Sequence, residues 1–319
     1  MEIILHSVQS VFSIVIMMAV GIVLARNGWF DKEGSSQLIA ALVTKVSLPC
    51  MVLLNITNNF NRGNIDTLAY DMALPFISVA ISYIVAWICC RLLKVPKGRR
   101  AIFRAMFYVA NCIYIGLPLN IALFGEESTV YIFEYFMVNT TALWCLAVHE
   151  LAADGAGTSA KMGVMEILKK IIVSPFIGFL MAIVVIVLNI QLPPVLKDSL
   201  RYIGSMTTPL SMIFVGIALS KIKIDELKIN FEMLVAHIGK FVVGPLSMFI
   251  FYDMIPLSNL HFQVMVIQAA TPVAVALPLL ASTYSVDVKY AAILTSTSTI
   301  LFIFVVPLYM WILHVFLGI

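Results

Sequence analysis

Apolar residues along this chain come in runs of roughly twenty, separated by short polar connections. A helix needs about 20 such residues to cross the hydrocarbon core of a bilayer. Ten segments qualify: 8–24, 37–56, 68–92, 101–124, 129–148, 168–190, 200–219, 233–255, 262–283 and 290–316. The last is long enough to be tilted or broken at Pro307. The longest connection, 150–166, contains Gly155-Ala156-Gly157-Thr158-Ser159-Ala160 and reads as a linker. The pattern predicts an all-α polytopic membrane protein: five helices over 1–150, a linker over 151–167, and five more over 168–319.

Composition agrees. Of 319 residues, 61% are hydrophobic and 12% charged, and the mean hydropathy is +1.02. A soluble domain carries about 25% charged residues, so the solvent for most of this surface is lipid. The first residues lack the basic region of a cleaved signal peptide, so the first apolar run is expected to be retained. Five cysteines lie in apolar runs without CxxC spacing and read as buried thiols rather than disulfides or metal ligands. No cofactor, metal or nucleic acid is expected.

Charge placement changes the picture more than charge amount. With ten spans, fifteen Lys/Arg residues fall toward one side and only Arg62, Lys197 and Arg201 toward the other. The remaining two, Lys45 and Lys240, lie inside spans. The positive-inside rule places the first side in the cytoplasm and both termini outside. A bacterial inner membrane is the expected location.

Two spans break the apolar pattern. Ala110-Asn111-Cys112-Ile113-Tyr114-Ile115-Gly116-Leu117-Pro118-Leu119 carries an amide, a tyrosine, a glycine and a proline. Ala269-Ala270-Thr271-Pro272-Val273-Ala274-Val275-Ala276-Leu277-Pro278-Leu279 repeats the oddity. A shift of 160 places Pro49 on Pro209, Pro96 on Pro256 and Pro118 on Pro278, and brings Asn111 onto Thr271. Five spans per half force the second copy to insert upside down, so helices four and nine would cross near the midplane as an inverted repeat.

The chemistry follows from the interruptions. Proline cannot donate its N–H and crowds the carbonyl four residues back, so a break is expected just before Pro118, with Gly116 loosening the turn. Pro272 and Pro278 predict local unwinding in the ninth span. Freed backbone groups and half-helix N-termini at bilayer depth suit an anion, most simply a carboxylate. Asn111 and Thr271 are candidate ligands, with Tyr114 and Gln268 nearby. Lys45 and Lys240 each cost about 2.5–3.5 kcal/mol or more in lipid and should face protein or a water-filled cavity. Asp71 and Glu134 are candidates for proton coupling; the alternative is that both reach out to the interface.

The motif Asn111…Gly116-Leu117-Pro118-Leu119 with Phe124-Gly125 resembles the fourth span of the auxin efflux carrier family. Pro272…Ala276-Leu277-Pro278…Tyr284…Asp287, then Thr295–Thr299 and Pro307, is similar to that family's C-terminal end. Without a long cytoplasmic loop, the chain is similar to the compact bacterial permeases for malonate and related carboxylates. The resemblance implies a scaffold of spans one, two, six and seven that forms a homodimer. It implies a transport unit of spans three to five and eight to ten, moving as an elevator with substrate at the crossing. It makes Asn111, Pro118, Thr271 and Pro278 site residues. The ten-span architecture also resembles bile-acid/sodium symporters, but neither crossing segment carries a carboxylate for a sodium site. A sensor or channel on a transporter fold is a further alternative. An intramembrane enzyme would need an acidic or His/Glu cluster that the spans do not show.

Overall fold

The computed structural model describes residues 2–30, 35–59, 70–155, 174–220, 230–255 and 257–318. The described residues are helical, with no strand among them. Among the described residues eight helical segments are long and apolar enough to cross a membrane, one of them, Arg100–Phe124, interrupted within. We label α1 Glu2–Arg26, α2 Ser35–Asn59, α3 Ala73–Leu92, α4 Arg100–Tyr108, α5 Leu117–Phe124, α6 Glu126–Asp154, α7 Ser174–Val187, α8 Pro194–Ser220, α9 Phe231–Met254, α10 Asn259–Ala269, α11 Leu277–Thr283 and α12 Val288–Leu317. The predicted span 168–190 is described only as α7, and 262–283 is a broken pair, α10 and α11. Most of the linker, together with Lys32, Arg62, Lys161, Lys169, Lys170, Lys221, Lys223 and Lys228, lies outside the described residues.

Prolines are absorbed in three helices by a π turn placed just upstream. Val43–Ser47 precedes Pro49, Cys112–Gly116 precedes Pro118, and Gly239–Val243 precedes Pro245. A π turn shifts the local hydrogen bonding from i−4 to i−5, which relieves the carbonyl that a proline ring would crowd. Of the two alternatives for the last span, tilted or broken at Pro307, α12 shows no break: the 30-residue helix runs on through Pro307. At 1.5 Å per residue that is about 45 Å, long enough to cross the core at a tilt.

Packing divides the helices into two groups. α1 lies along α8, and α2 lies against α7 and α8. In the other group α3 packs on α4 and α9, α9 on α10, α10 on α6, and α11 on α12. On the basic side this second group is tied across the chain by an ion pair. Arg99 Nε, before α4, lies 2.7 Å from Asp287 Oδ2, at the N-terminus of α12. The Asp287 amide also donates to the Gly98 carbonyl at 3.0 Å.

Candidate functional site

The fourth span does not break at Pro118. α4 ends at Tyr108, the chain runs extended or irregular through Val109, Ala110 and Asn111, and the π turn Cys112–Gly116 leads into α5. The proline sits buried at the second position of α5, where its missing N–H costs nothing. The chain therefore opens several residues before it. In the ninth span, unwinding occupies 270–276, between the two predicted prolines and slightly before them. α5 and α11 begin 160 residues apart, at Leu117 and Leu277, each with proline second.

The two interruptions touch. The Asn111 amide donates to the Pro272 carbonyl at 2.8 Å, so backbone freed in one span satisfies backbone freed in the other. Around this bond the first interruption is held by side chains. Asn139, on α6, accepts from the Ala110 N–H at 2.9 Å and donates back to the Ala110 carbonyl at 3.1 Å. Lys240, on α9 and 1% exposed, donates from Nζ to the Val109 carbonyl at 3.2 Å. No carboxylate lies within ion-pair distance of Lys240 among the described residues.

Gly116 serves close approach rather than flexibility. Its backbone is helical, and a Cβ there would overlap the Gln268 carboxamide. Gln268 Nε2 reaches the Cys112 carbonyl at 3.4 Å, while its Oε1 has no hydrogen-bond partner. Asn111 Nδ2 is likewise buried without a partner. The Thr271 hydroxyl is turned back onto the Gln268 carbonyl at 2.7 Å, so it caps α10. Buried polar groups are nearly always satisfied, so the two open carboxamide atoms, Asn111 Nδ2 and Gln268 Oε1, are exceptions at this crossing.

A cavity of about 450 Å³ lies between the two helix groups. Tyr114 and Pro278 line it, with Val275 and Ala276 from the unwound segment, Phe214 from α8, and Thr295, Ser296 and Thr299 from α12. It extends to Ser36 and Gln37 at the start of α2 and Ala218 and Leu219 at the end of α8. The Tyr114 ring meets Phe214 at 4.9 Å between centroids, bridging the two groups. Asn111, Gln268, Thr271 and Pro272 do not line this cavity; they are buried in the protein.

The remaining charged candidates separate. Glu134 does not reach out to the interface: it is 1% exposed and its Oε2 lies 2.8 Å from Nε2 of His261, on α10. The Tyr131 ring stacks on His261 at 4.2 Å. Asp71 is half-buried just before α3. Lys45 is exposed, because Val43, Ser47 and Leu48 turn the other face of the π turn inward. Sequence reasoning missed Asn139 and His261. Asn139 carried a signal, an amide within a span like Asn111; His261 stood just outside the ninth apolar run.

The comparisons agree with a transporter. The sequence profile of a family described as "membrane transport protein" matches residues 6–310. The chain is 22% identical over 303 residues to an uncharacterized transporter of Methanocaldococcus jannaschii, covering 92% of this chain and 96% of the relative. It is 23% identical over 309 residues to an uncharacterized transporter of Methanothermobacter thermautotrophicus, covering 95% and 97%. With broken helices in contact at the centre of an apolar bundle and a profile match over nearly its whole length, the chain belongs to the membrane transport protein family, that of the auxin efflux carriers, and is a transporter rather than an enzyme.

Proposed function

We propose that the chain is a secondary transporter of a small organic anion, a malonate-like dicarboxylate or an auxin-like acid, bound at the crossing of the fourth and ninth spans. The observation that carries this reading is Lys240. Its ammonium is buried at the interruption and hydrogen-bonded to the Val109 carbonyl, with no carboxylate beside it among the described residues. A buried charge without a partner is expensive, and an anionic substrate is the natural partner. Asn111 Nδ2 supplies a second free donor. In broken-helix transporters unwound carbonyls hold a coupling cation; here the Lys240 ammonium occupies such a carbonyl. That disfavours the bile-acid/sodium symporter reading.

The two inverted repeats of this proposal rest on the 160-residue spacing of α5 and α11 and on the hydrogen bond that joins their breaks. The helix grouping supports a scaffold of α1, α2, α7 and α8 and a mobile unit of the rest. The cavity lies between them, as elevator-type alternating access requires. With the basic connections in the cytoplasm, it is an inward-facing cavity and both termini are extracytoplasmic. We assign dimerisation to the scaffold. The Glu134–His261 pair joins two elements of the mobile unit and is the candidate proton carrier.

The test is a thermal-shift panel of monocarboxylates, dicarboxylates and indole acids on purified protein at acidic and neutral pH. At least one class should stabilise the wild type and fail to stabilise Asn111→Ala. Undiminished stabilisation in both Asn111→Ala and Thr271→Val would remove the crossing from the account. Proton coupling falls if binding and uptake follow only the substrate's own titration.

A further inference from the structure

A second cavity, of about 520 Å³, shares no lining residue with the first. The end of α3 contributes Trp87 and Arg91, the following connection Lys94, α4 Arg100 and Arg104, and the last turns of α6 Glu150 and Asp154. Four cations thus face two carboxylates, and both carboxylates are already engaged. Asp154 Oδ2 accepts from the Ala101 amide at 3.1 Å. Glu150 accepts from the Tyr83 hydroxyl at 3.0 Å and meets Arg104 Nε at 3.3 Å. That second approach is oblique, and Arg104 Nε completes no hydrogen bond. Arg91, Lys94 and Arg100 have no carboxylate within ion-pair distance among the described residues.

The cations are also held in place. The Arg91 guanidinium lies over the Trp87 ring at 3.7 Å, and Arg100 Nε donates to the Val95 carbonyl at 2.8 Å. Each keeps terminal amino groups free, and the planar fork of a guanidinium matches two phosphate oxygens. One wall of the cavity continues into lipid-facing surface. Ile84, Trp87 and Ile88 are exposed at i, i+3 and i+4 on α3, one stripe leading to Arg91. Tryptophan belongs at headgroup depth. A soluble phosphate would have no use for that stripe; acyl chains would.

We propose that this cavity binds the phosphate headgroup of an anionic phospholipid, with Arg91, Lys94 and Arg100 on the phosphate and acyl chains along Ile84 and Ile88. The site does not depend on the transported substrate. Only its assignment to the cytoplasmic leaflet, where anionic lipids attract basic pockets, rests on the orientation proposed above.

Trp87 makes the test direct. The full chain is reconstituted in phosphatidylcholine nanodiscs with a minor share of lipid brominated on its acyl chains, either phosphatidylglycerol or phosphatidylcholine, and tryptophan quenching is read. Brominated phosphatidylglycerol should quench several-fold more than brominated phosphatidylcholine. Trp87→Phe should remove that excess. So should the double variant Arg91→Gln/Arg100→Gln, whose exposed side chains do not hold the core. Arg201→Gln, an exposed charge elsewhere, should keep it. Equal quenching by the two lipids in the wild type, an excess that survives the double variant, or an excess lost equally in Arg201→Gln overturns the proposal. If quenching shows no lipid preference while inorganic phosphate raises the melting temperature of detergent-purified wild type but not of the double variant, the occupant is a soluble phosphate. The lipid assignment then fails.

Discussion

The two interruptions lead into helices that begin 160 residues apart, yet they are built differently. The first is short, and three side-chain or backbone partners hold it: Asn139 on Ala110, Lys240 on Val109, and the Pro272 carbonyl on the Asn111 amide. The second is longer, lines the cavity with Val275 and Ala276, and has Thr271 spent on capping its own helix. Similar sequence patterns thus give a braced half and an open half. The braced interruption carries the free Asn111 donor and takes its charge, Lys240, from α9 in the other half; the open interruption gives Val275 and Ala276 to the cavity wall. A buried backbone group must find a partner, and the two halves meet that demand in opposite ways.

The contrast can be broken most severely at its charged brace. Lys240→Met should abolish binding and uptake of any carboxylate found in the panel, a loss of at least about tenfold, corresponding to roughly 1.4 kcal/mol. It should also leave the Val109 carbonyl unsatisfied. Retained tight binding in a folded Lys240→Met protein would mean that the ammonium serves structure alone. Next comes Asn139→Leu, which strands the Ala110 N–H and leaves the Ala110 carbonyl only the weak Cys112 thiol at 3.7 Å. At about 1–3 kcal/mol per unsatisfied buried group, it should lower the melting temperature well below that of Thr271→Val, which loses one hydrogen bond worth about 1 kcal/mol. Equal losses would erase the distinction between the braced and open halves.

Gly116→Ala sharpens the crossing itself. A Cβ at Gly116 overlaps the Gln268 carboxamide, whereas one at Gly244 would meet Ser82 Oγ at an ordinary 3.5 Å. Gly116→Ala should therefore impair uptake while Gly244→Ala leaves it near wild type, as a paired uptake assay would show.

Much of this was legible in the sequence. Apolar run length and the side bias of Lys/Arg located the helices, and the proline pairs located the two interrupted spans. The point of interruption was not legible. Proline marks where a donor is missing, but a π turn can absorb that loss, so the fourth span opens at Val109–Asn111, where Asn139 and Lys240 supply partners from other helices. Those partners come from positions 29 and 131 residues away, which no local pattern encodes. Glu134 illustrates the same limit. Its position in the outer part of a span left a proton-coupling role and the interface both open, and His261 from α10 holds it inside. Lys45 illustrates the reverse, since both in-span lysines look alike in sequence and only one is buried.

The smallest expected effect concerns the basic side, where Asp287 joins the halves. Burial raises its carboxyl pKa, but the Tyr290 amide and Arg99 outweigh that and hold it below the usual carboxylate range. A depressed carboxyl contributes stability that is present above its unfolded pKa of about 4 and is lost as pH falls through its folded value. Melting temperature should therefore decline on the acid side more steeply in the wild type than in Asp287→Asn. Because the pair is partly exposed, the difference should be modest. Parallel pH curves would remove Asp287 as a titrating tie between the halves.

The most direct measurement of the central claim is a structure of the chain with a brominated analogue of whichever carboxylate stabilises it most. The account predicts bromine density at the crossing, with the carboxylate within hydrogen-bonding distance of Lys240 Nζ and Asn111 Nδ2. Density confined to the wall formed by Tyr114 and Phe214, with Lys240 still bonded only to Val109, would contradict it.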